Sequence, residues 1–514
     1  MSTPSLKWLQ EIRGWLGTDI YSTAWTALVP SVADPTRPAW PQALAYLRQN
    51  QLADGGWGES DILYAHGRTI STLAAIGALH TWNAQPEDAV RIQRGLRALR
   101  RYAEDLAREP HEPVGFELVL PRLQANLQAF DAQLPLRQWA PVYAKSADKL
   151  ALIRQLTPSP GRQETWWFSM EMLPDEYLAA LDDSFLDANG AIATSTAATA
   201  AYLRALRLKG RDSSRAAQFL ARMLEIGHGG VPVGWPFDVF ERVWVLDSFK
   251  RVGLSPADPL LRPVIQSVWD SWQLNNPGLA YADEFEVNDG DDTLVGFDVL
   301  TWAGLSPSDE VLLAFWHGDH FSSYVDERTS SVSVNLHALA TLRSQLGFPH
   351  RNLARRVTEW LLARTTPDGL FDDKWHLSPY YSVAHAIPAF AGWDDEVARR
   401  CTRFLLDEQR ADGGWGFFGY STIEETAHSV IGLYRAALAG LLDEHSPLQR
   451  AACFFEANAD QEARERLWIG KTLYRPEAIV RATVYAAKLA LRELPCDFRS
   501  QGEPVAASAH AASV

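Results

Sequence analysis

The chain contains two near-identical eight-residue blocks, Gln51-Leu52-Ala53-Asp54-Gly55-Gly56-Trp57-Gly58 and Gln409-Arg410-Ala411-Asp412-Gly413-Gly414-Trp415-Gly416. Each copy follows an apolar stretch of helical period and precedes another. Asp and Gly-Gly make a tight turn needing positive φ, Trp packs back on the helix ends, and Gln bonds to exposed helix termini. The block is therefore a helix-turn-helix connector. Looser relatives stand at Asp368-Gly369-Leu370-Phe371 and around Asn189-Gly190. Repeated helix pairs cannot bury their faces alone, and closing on themselves into α-barrels satisfies them. Most of the chain has helical period with short Gly/Pro punctuation and few alternating runs, so an all-α fold follows.

A length of 514 residues suggests two or three domains. The net charge is −15 and the basic residues are dispersed, which argues against a nucleic-acid surface. An anionic ligand would need a local basic pocket or a divalent cation. Cys401, Cys453 and Cys496 are widely spaced, without metal or disulfide spacing, and imply a reduced, cytoplasmic setting. Near the start, Trp8, Leu9, Ile12, Trp15 and Leu16 are interleaved with Glu11, Arg13 and Asp19, so no signal peptide is expected. No segment approaches the roughly 20 apolar residues of a membrane span. Residues 501–514 are rich in Ala and Ser and read as a disordered tail.

Chemistry points to Asp289-Gly290-Asp291-Asp292-Thr293, three carboxyl groups within four positions that run on into Leu294, Val295 and Phe297. Like charges this close resist joint ionisation, so at least one carboxyl keeps its proton well above the ordinary value of about 4. A carboxylic acid protonated at neutral pH is a proton donor. The same residues would also suit a solvated acidic turn opening a helix. Aromatic residues make up 11% of the chain and Trp numbers 20. Much of that is core, yet an aromatic-lined cavity also stabilises a carbocation without offering it a base.

These motifs, in order along the chain, resemble the class II diterpene cyclases, the group of copalyl and halimadienyl diphosphate synthases. The resemblance rests on Asp-x-Asp-Asp-Thr at 289–293, the two Trp blocks, Gly115-Phe116-Glu117, Phe240-Glu241-Arg242, Lys374-Trp375-His376, Tyr380-Tyr381, Ala384-His385, Glu424-Glu425-Thr426-Ala427 and Leu467-Trp468-Ile469-Gly470-Lys471. It implies two α-barrel domains in the arrangement called βγ, with the active site between them. Residues 1–28 and 240–500 would form β, and 29–239 an inserted γ. Asp291 would protonate the terminal alkene of geranylgeranyl diphosphate, with Asp289 and Asp292 tuning it and Asn335 hydrogen-bonded to the cluster. Lys471, with Arg475 one helical turn further on, would bind the diphosphate. Mg2+ would be held by Glu104, Asp105 and Glu109, with Asp54 and Glu59 a second acidic pair.

Asp182-Asp183-Ser184-Phe185-Leu186-Asp187 is one residue too long for the ionising motif of class I synthases, so diphosphate should survive. A separate class I synthase or phosphatase would then consume the product. A homodimer is compatible with the resemblance. Where copalyl-forming plant relatives carry a His and an Asn that position a deprotonating water, this chain has Phe168 and Val233. That departure implies a longer-lived cation and a rearranged kolavenyl or halimadienyl skeleton. The alternatives are unrearranged copalyl diphosphate, a drimenyl-type reaction on farnesyl diphosphate, a squalene-type cyclase, an α-barrel glycosidase with paired acids, and a non-enzymatic helical toroid.

Overall fold

A computed structural model describes residues 6–109, 111–153, 163–274, 278–327, 329–343 and 350–493. The tail at 501–514 lies outside them. The helices fall into two sets, each wrapped around its own apolar core. The first comprises α1 (Ile20–Ala27), α2 (Pro41–Gln49), α3 (Ala65–Trp82), α4 (Pro86–Asp105), α5 (Phe116–Ala125), α6 (Leu136–Ile153), α7 (Asp175–Leu178), α8 (Thr196–Leu208) and α9 (Ser214–Ile226). Here α1, α3, α5, the 3-10 segment Thr165–Met172 and α8 pack in sequence, and α8 returns to α1, which closes an inner ring.

The second set comprises α10 (Asp238–Arg251), α11 (Arg262–Leu274), α12 (Gly290–Trp302), α13 (Val332–Thr341), α14 (Arg351–Leu362), α15 (Pro379–Phe390), α16 (Asp395–Asp407), α17 (Ile423–Leu438), α18 (Ser446–Ala457) and α19 (Glu477–Glu493). Its inner ring runs α10, α12, α13, α15, α17, α19 and back to α10. Inner and outer helices differ in composition for a physical reason. Every residue of α17 from Ile423 to Tyr434 is buried, because neighbours surround it. Outer helix α16 buries only a stripe, Val397, Ala398, Cys401, Thr402 and Leu405, at the spacing of one helical face.

The two Trp blocks do the same work in the two barrels. Gln51 Nε2 donates to Gly55 O and Arg91 O, and Gln409 Nε2 to Gly413 O and Pro447 O, tying each turn to the next outer helix. The Trp57 and Trp415 indoles each donate at 2.7 Å to a carbonyl of the preceding outer helix, Leu47 and Leu405. Gly55 and Gly413 have φ of 96° and 87°. A Cβ on Gly413 would lie 2.3 Å from Arg450 O, so only glycine fits there.

Core membership moves the expected start of the inserted barrel. Leu6, Trp8, Leu9 and Ile12 belong to the C-terminal core. Ile20, Tyr21, Ala24 and Trp25 of α1, assigned with residues 1–28 to the β barrel, belong instead to the N-terminal core. The chain passes between barrels at 13–19, where Gly14 N donates to Glu241. Two short antiparallel pairs, Thr18–Asp19 with Val231–Pro232 and Trp468–Ile469 with Leu473–Tyr474, are the extended elements at the junction. No helix among the described residues is long and apolar enough to cross a membrane.

Candidate active site

The aspartate motif opens α12, and each of its residues has a distinct local task. Asp289 is the N-cap: its Oδ1 accepts from Asp291 N at 2.7 Å and from Asp292 N at 3.1 Å. Gly290 passes so close to the 322–323 backbone that a Cβ would sit 2.2 Å from Ser322 O. Thr293 Oγ1 accepts from Leu279 N and anchors the preceding segment. The turn is thus a helix cap, as one reading of the sequence has it, but one with Gly290, Asp292 and Thr293 buried and Asp289 and Asp291 half-buried. Burial, followed by the charge of Asp291, pushes Asp289 up to about 7, while the Tyr324 hydroxyl opposes this. Burial and then Asp289 and Asp291 hold Asp292 well above the usual carboxylate range, and Trp244 Nε1 donates to it at 3.1 Å.

Asp291 projects into a cavity, and its Oδ1 lies 2.7 Å from Nδ1 of His337 on α13. His337 Nε2 lies 2.6 Å from Nδ1 of His385 on α15, which also accepts from Arg251 at 3.0 Å. Arg251 in turn pairs with Asp247 at 2.6 Å. Guanidinium can only donate, so His385 Nδ1 is bare and the proton of the inter-histidine contact sits on His337 Nε2. Burial, then the Arg251 charge, holds His385 far below its ordinary value, hence neutral. The line Asp291–His337–His385 is a hydrogen-bonded relay.

Asn335 does not take the place expected for it. Its carboxamide accepts from Phe321 N and donates to Phe321 O and Ser331 O, clamping a loop and making no bond to the aspartates. Two residues along a helix point to different sides, so His337 faces the aspartates where Asn335 faces the loop. Reading the sequence for Asn335 passed over His337. The one available signal was a second polar residue in the same apolar helix.

The cavity, about 1180 Å3, lies between the barrels. Its acid end is walled by Phe240, Trp244, Tyr281, Tyr381 and Trp468. Phe168 and Val233 also line it. Phe168 stands edge-on to Phe237 and Tyr281, and Tyr281 stacks on Phe237 and Phe285 at 4.4 Å. The mouth is charged: Glu109, Glu112, Glu117, Asp326, Glu327 and Asp372 accompany Lys145, Lys149 and Lys374. Lys145 pairs with Glu112 at 2.6 Å, Lys149 with Glu117, and Lys374 with Glu327.

The expected cation pair is elsewhere. Lys471 sits on the short hairpin, not on a helix, and is wholly buried. Its Nζ donates to Glu171 at 2.7 Å and Ser195 at 2.8 Å, and lies 4.4 Å from the Phe168 ring centre. It is a strut between the barrels behind the cavity wall. Arg475 donates to Ala463 O and pairs with Glu477 at 3.3 Å, also away from the cavity.

Of the acidic candidates, Glu109 alone reaches the cavity, where it also accepts from Ala65 N and His66 N at the start of α3. Glu104 is exposed, and Asp105 pairs on the surface with Arg108 at 3.0 Å. Asp54 is spent on Gly56 N, Arg68 and Tyr102, and Glu59 on Arg466 at 2.9 Å.

No family model matches the chain. It is 30% identical over 487 residues to a type B diterpene cyclase of Mycobacterium tuberculosis, covering 92% of this chain and 95% of that protein. It is 30% identical over 507 residues to a copalyl diphosphate synthase of Streptomyces anulatus, covering 91% and 87%. The ent-copalyl diphosphate synthase of Streptomyces platensis superposes with a TM-score of 0.71 at 28% identity, covering 94% of this chain and 97% of that one. With similarity running the full length of both barrels and a buried acid at their junction, the chain belongs to the class II diterpene cyclases.

Proposed function

We propose that the protein cyclises geranylgeranyl diphosphate by protonation, retains the diphosphate, and releases a rearranged bicyclic product of kolavenyl or halimadienyl type. The observation that carries this is the Asp291–His337–His385 relay opening on an aromatic cavity whose other end is charged. A hydrogen bond from His337 Nδ1 to Oδ1 would leave the proton of Asp291 on Oδ2 and draw electron density from the carboxyl. Among the described residues Oδ2 takes no protein hydrogen bond, so its proton is free to meet the terminal alkene. After transfer, the Asp291 carboxylate is left beside His337, and the proton lost by the cyclised cation balances the one given up. Trp244, Tyr381 and Trp468 line the acid end, where their π systems would stabilise the developing cation.

The cavity, about 1180 Å3 with its mouth, has room for a C20 chain. The mouth carries more carboxylates than lysines, so an anionic diphosphate needs divalent cations there. Glu109, Glu112, Asp326 and Asp372 supply the hard oxygen donors that suit Mg2+. Bound Mg2+ would neutralise the diphosphate and fix its orientation, while Lys145, Lys149 and Lys374 contact its oxygens. Among the described residues, neither Phe168 nor Val233 offers a base at this wall, which supports hydride and methyl shifts before proton loss. A class I synthase or a phosphatase would consume the product.

The test is incubation with geranylgeranyl diphosphate and Mg2+, phosphatase treatment, and mass spectrometry with NMR of the alcohol, beside Asp291→Asn. A rearranged bicyclic alcohol absent from the control is expected. Unrearranged copalol as sole product overturns the skeleton but not the cyclisation. Unchanged geranylgeraniol with turnover of farnesyl diphosphate overturns the chain length.

A further inference from the structure

Behind the wall formed by Trp468 and Tyr381, three buried side chains leave polar atoms without any hydrogen-bond partner: His376 Nε2, Glu424 Oε2 and His428 Nε2. The residues are 1%, 0% and 6% exposed, and the proton relay does not use them. Buried polar atoms are ordinarily satisfied, so three orphans on neighbouring side chains call for an occupant. Ligand atoms from the three residues lie within 4.8 Å of one another. Nε2 of His376 and of His428 are 3.5 and 3.9 Å from Glu424 Oε1. Both separations are too long for good hydrogen bonds. Both are close to the roughly 3.4 Å edge of a tetrahedron built from bonds of about 2.1 Å.

The chain builds this group from rigid parts. Glu424 and His428 are one turn apart on α17, whose first turn is locked by Thr422 Oγ1 accepting from Glu425 N at 3.1 Å. His376 comes from the segment before α15, and its Nδ1 lies 3.3 Å from Ser378 O and 3.1 Å from Ser378 N. Ser378 N–H also points at this Nδ1, so metal binding at Nε2 requires the tautomer with the proton on Nδ1, directed at the Ser378 carbonyl, in place of that bond. Trp468 Nε1 donates to Glu424 Oε1 at 2.7 Å and orients the carboxylate.

We infer that His376, Glu424 and His428 hold one divalent transition cation of the Zn2+ class, with water at the remaining position. Two imidazoles and a carboxylate are donors for Zn2+, whereas Mg2+ prefers an all-oxygen shell. The cation would position groups rather than react. Tyr381 stacks on His376 at 4.6 Å, Trp468 stands edge-on to it at 5.2 Å, and both rings line the cavity beside Asp291. Fixing His376 and Glu424 fixes the aromatic wall. The inference concerns a site distinct from the cavity mouth, and its readout is independent of which prenyl diphosphate is turned over.

The experiment is metal analysis by mass spectrometry of tag-free protein purified without chelators or metal-affinity steps. Removal of bound metal and titration with Co2+ follow, beside His428→Asn and His376→Asn. About one equivalent of zinc per chain is expected. Co2+ should produce saturable visible absorption at one equivalent, unaffected by millimolar Mg2+ and weakened at least tenfold in each variant. If wild-type protein retains no transition metal and shows no saturable Co2+ spectrum, the inference is wrong and the three atoms enclose water or share a proton. Equal metal content in wild type and both variants overturns it too, by placing the metal elsewhere. The wild-type spectrum decides the matter even where a variant fails to fold.

Discussion

Oδ1 of Asp291 and Nδ1 of His337 are 2.7 Å apart across the α12–α13 contact, and the imidazole is more deeply buried than the carboxylate it serves. One partner faces the cavity and the other faces the protein, which makes the pair directional. Asp291→Asn should reduce cyclisation by at least about 10^3-fold, and His337→Gln by about 10^2-fold, within the range typical of general acid catalysis. Single-turnover assays with circular dichroism beside them check this. Activity within a factor of about three of wild type in His337→Gln would remove the relay from the mechanism.

The raised value of Asp289 has a consequence for stability. The folded protein holds this proton up to about pH 7, whereas an unfolded chain releases it near the ordinary carboxylate value of about 4. Between those limits the folded state binds more protons, so stability falls as pH rises. Glu241, pushed by burial up to about 8, contributes in the same direction. Asn is an equally good cap, so Asp289→Asn should melt with a shallower loss from pH 5 to pH 7.5 than wild type. Parallel melting curves for the two proteins would contradict this.

Lys471 and Glu171 form a buried pair across the barrel junction, reinforced by the Tyr21 hydroxyl donating to Glu171 at 2.9 Å. Lys471→Met leaves that carboxylate uncompensated and should destabilise by about 3–5 kcal/mol. The double variant Lys471→Met/Glu171→Gln should recover most of the loss, since Gln still accepts from Tyr21. Denaturant titrations test it. A diphosphate-binding role for Lys471 would instead show as a raised KM in the stable double variant.

Lys149 and Lys374 reach the cavity mouth, so Lys149→Ala and Lys374→Ala should each raise KM about tenfold, with melting temperature little changed for Lys149→Ala and lowered for Lys374→Ala, which leaves the largely buried Glu327 carboxylate unpaired. Steady-state kinetics at fixed Mg2+ resolves this. Unchanged KM in both would move the diphosphate site elsewhere.

Replacing Phe168 by His and Val233 by Asn together would place hydrogen-bonding groups on the apolar wall. An increased share of unrearranged bicyclic product is expected from the double variant, read by gas chromatography of the dephosphorylated alcohols. An unaltered product profile would show that this wall does not govern proton loss.

The all-α class and the repeated connector were legible because their causes are local. Helical period, Gly at positive φ and the Gln-Asp-Gly-Gly-Trp chemistry act within a few residues, and both copies made equivalent bonds. The acid motif was legible because three carboxylates in one turn of chain are costly wherever they fold. The partners were not. His337 over Asn335, Lys374 over Lys471, and the placement of α1 in the N-terminal core depend on which face of a buried helix meets which neighbour. Inner-ring helices are buried on nearly every side, so their composition carries little directional signal. Closure of the two rings alone decided which polar side chains reach the cavity and which are walled in behind it.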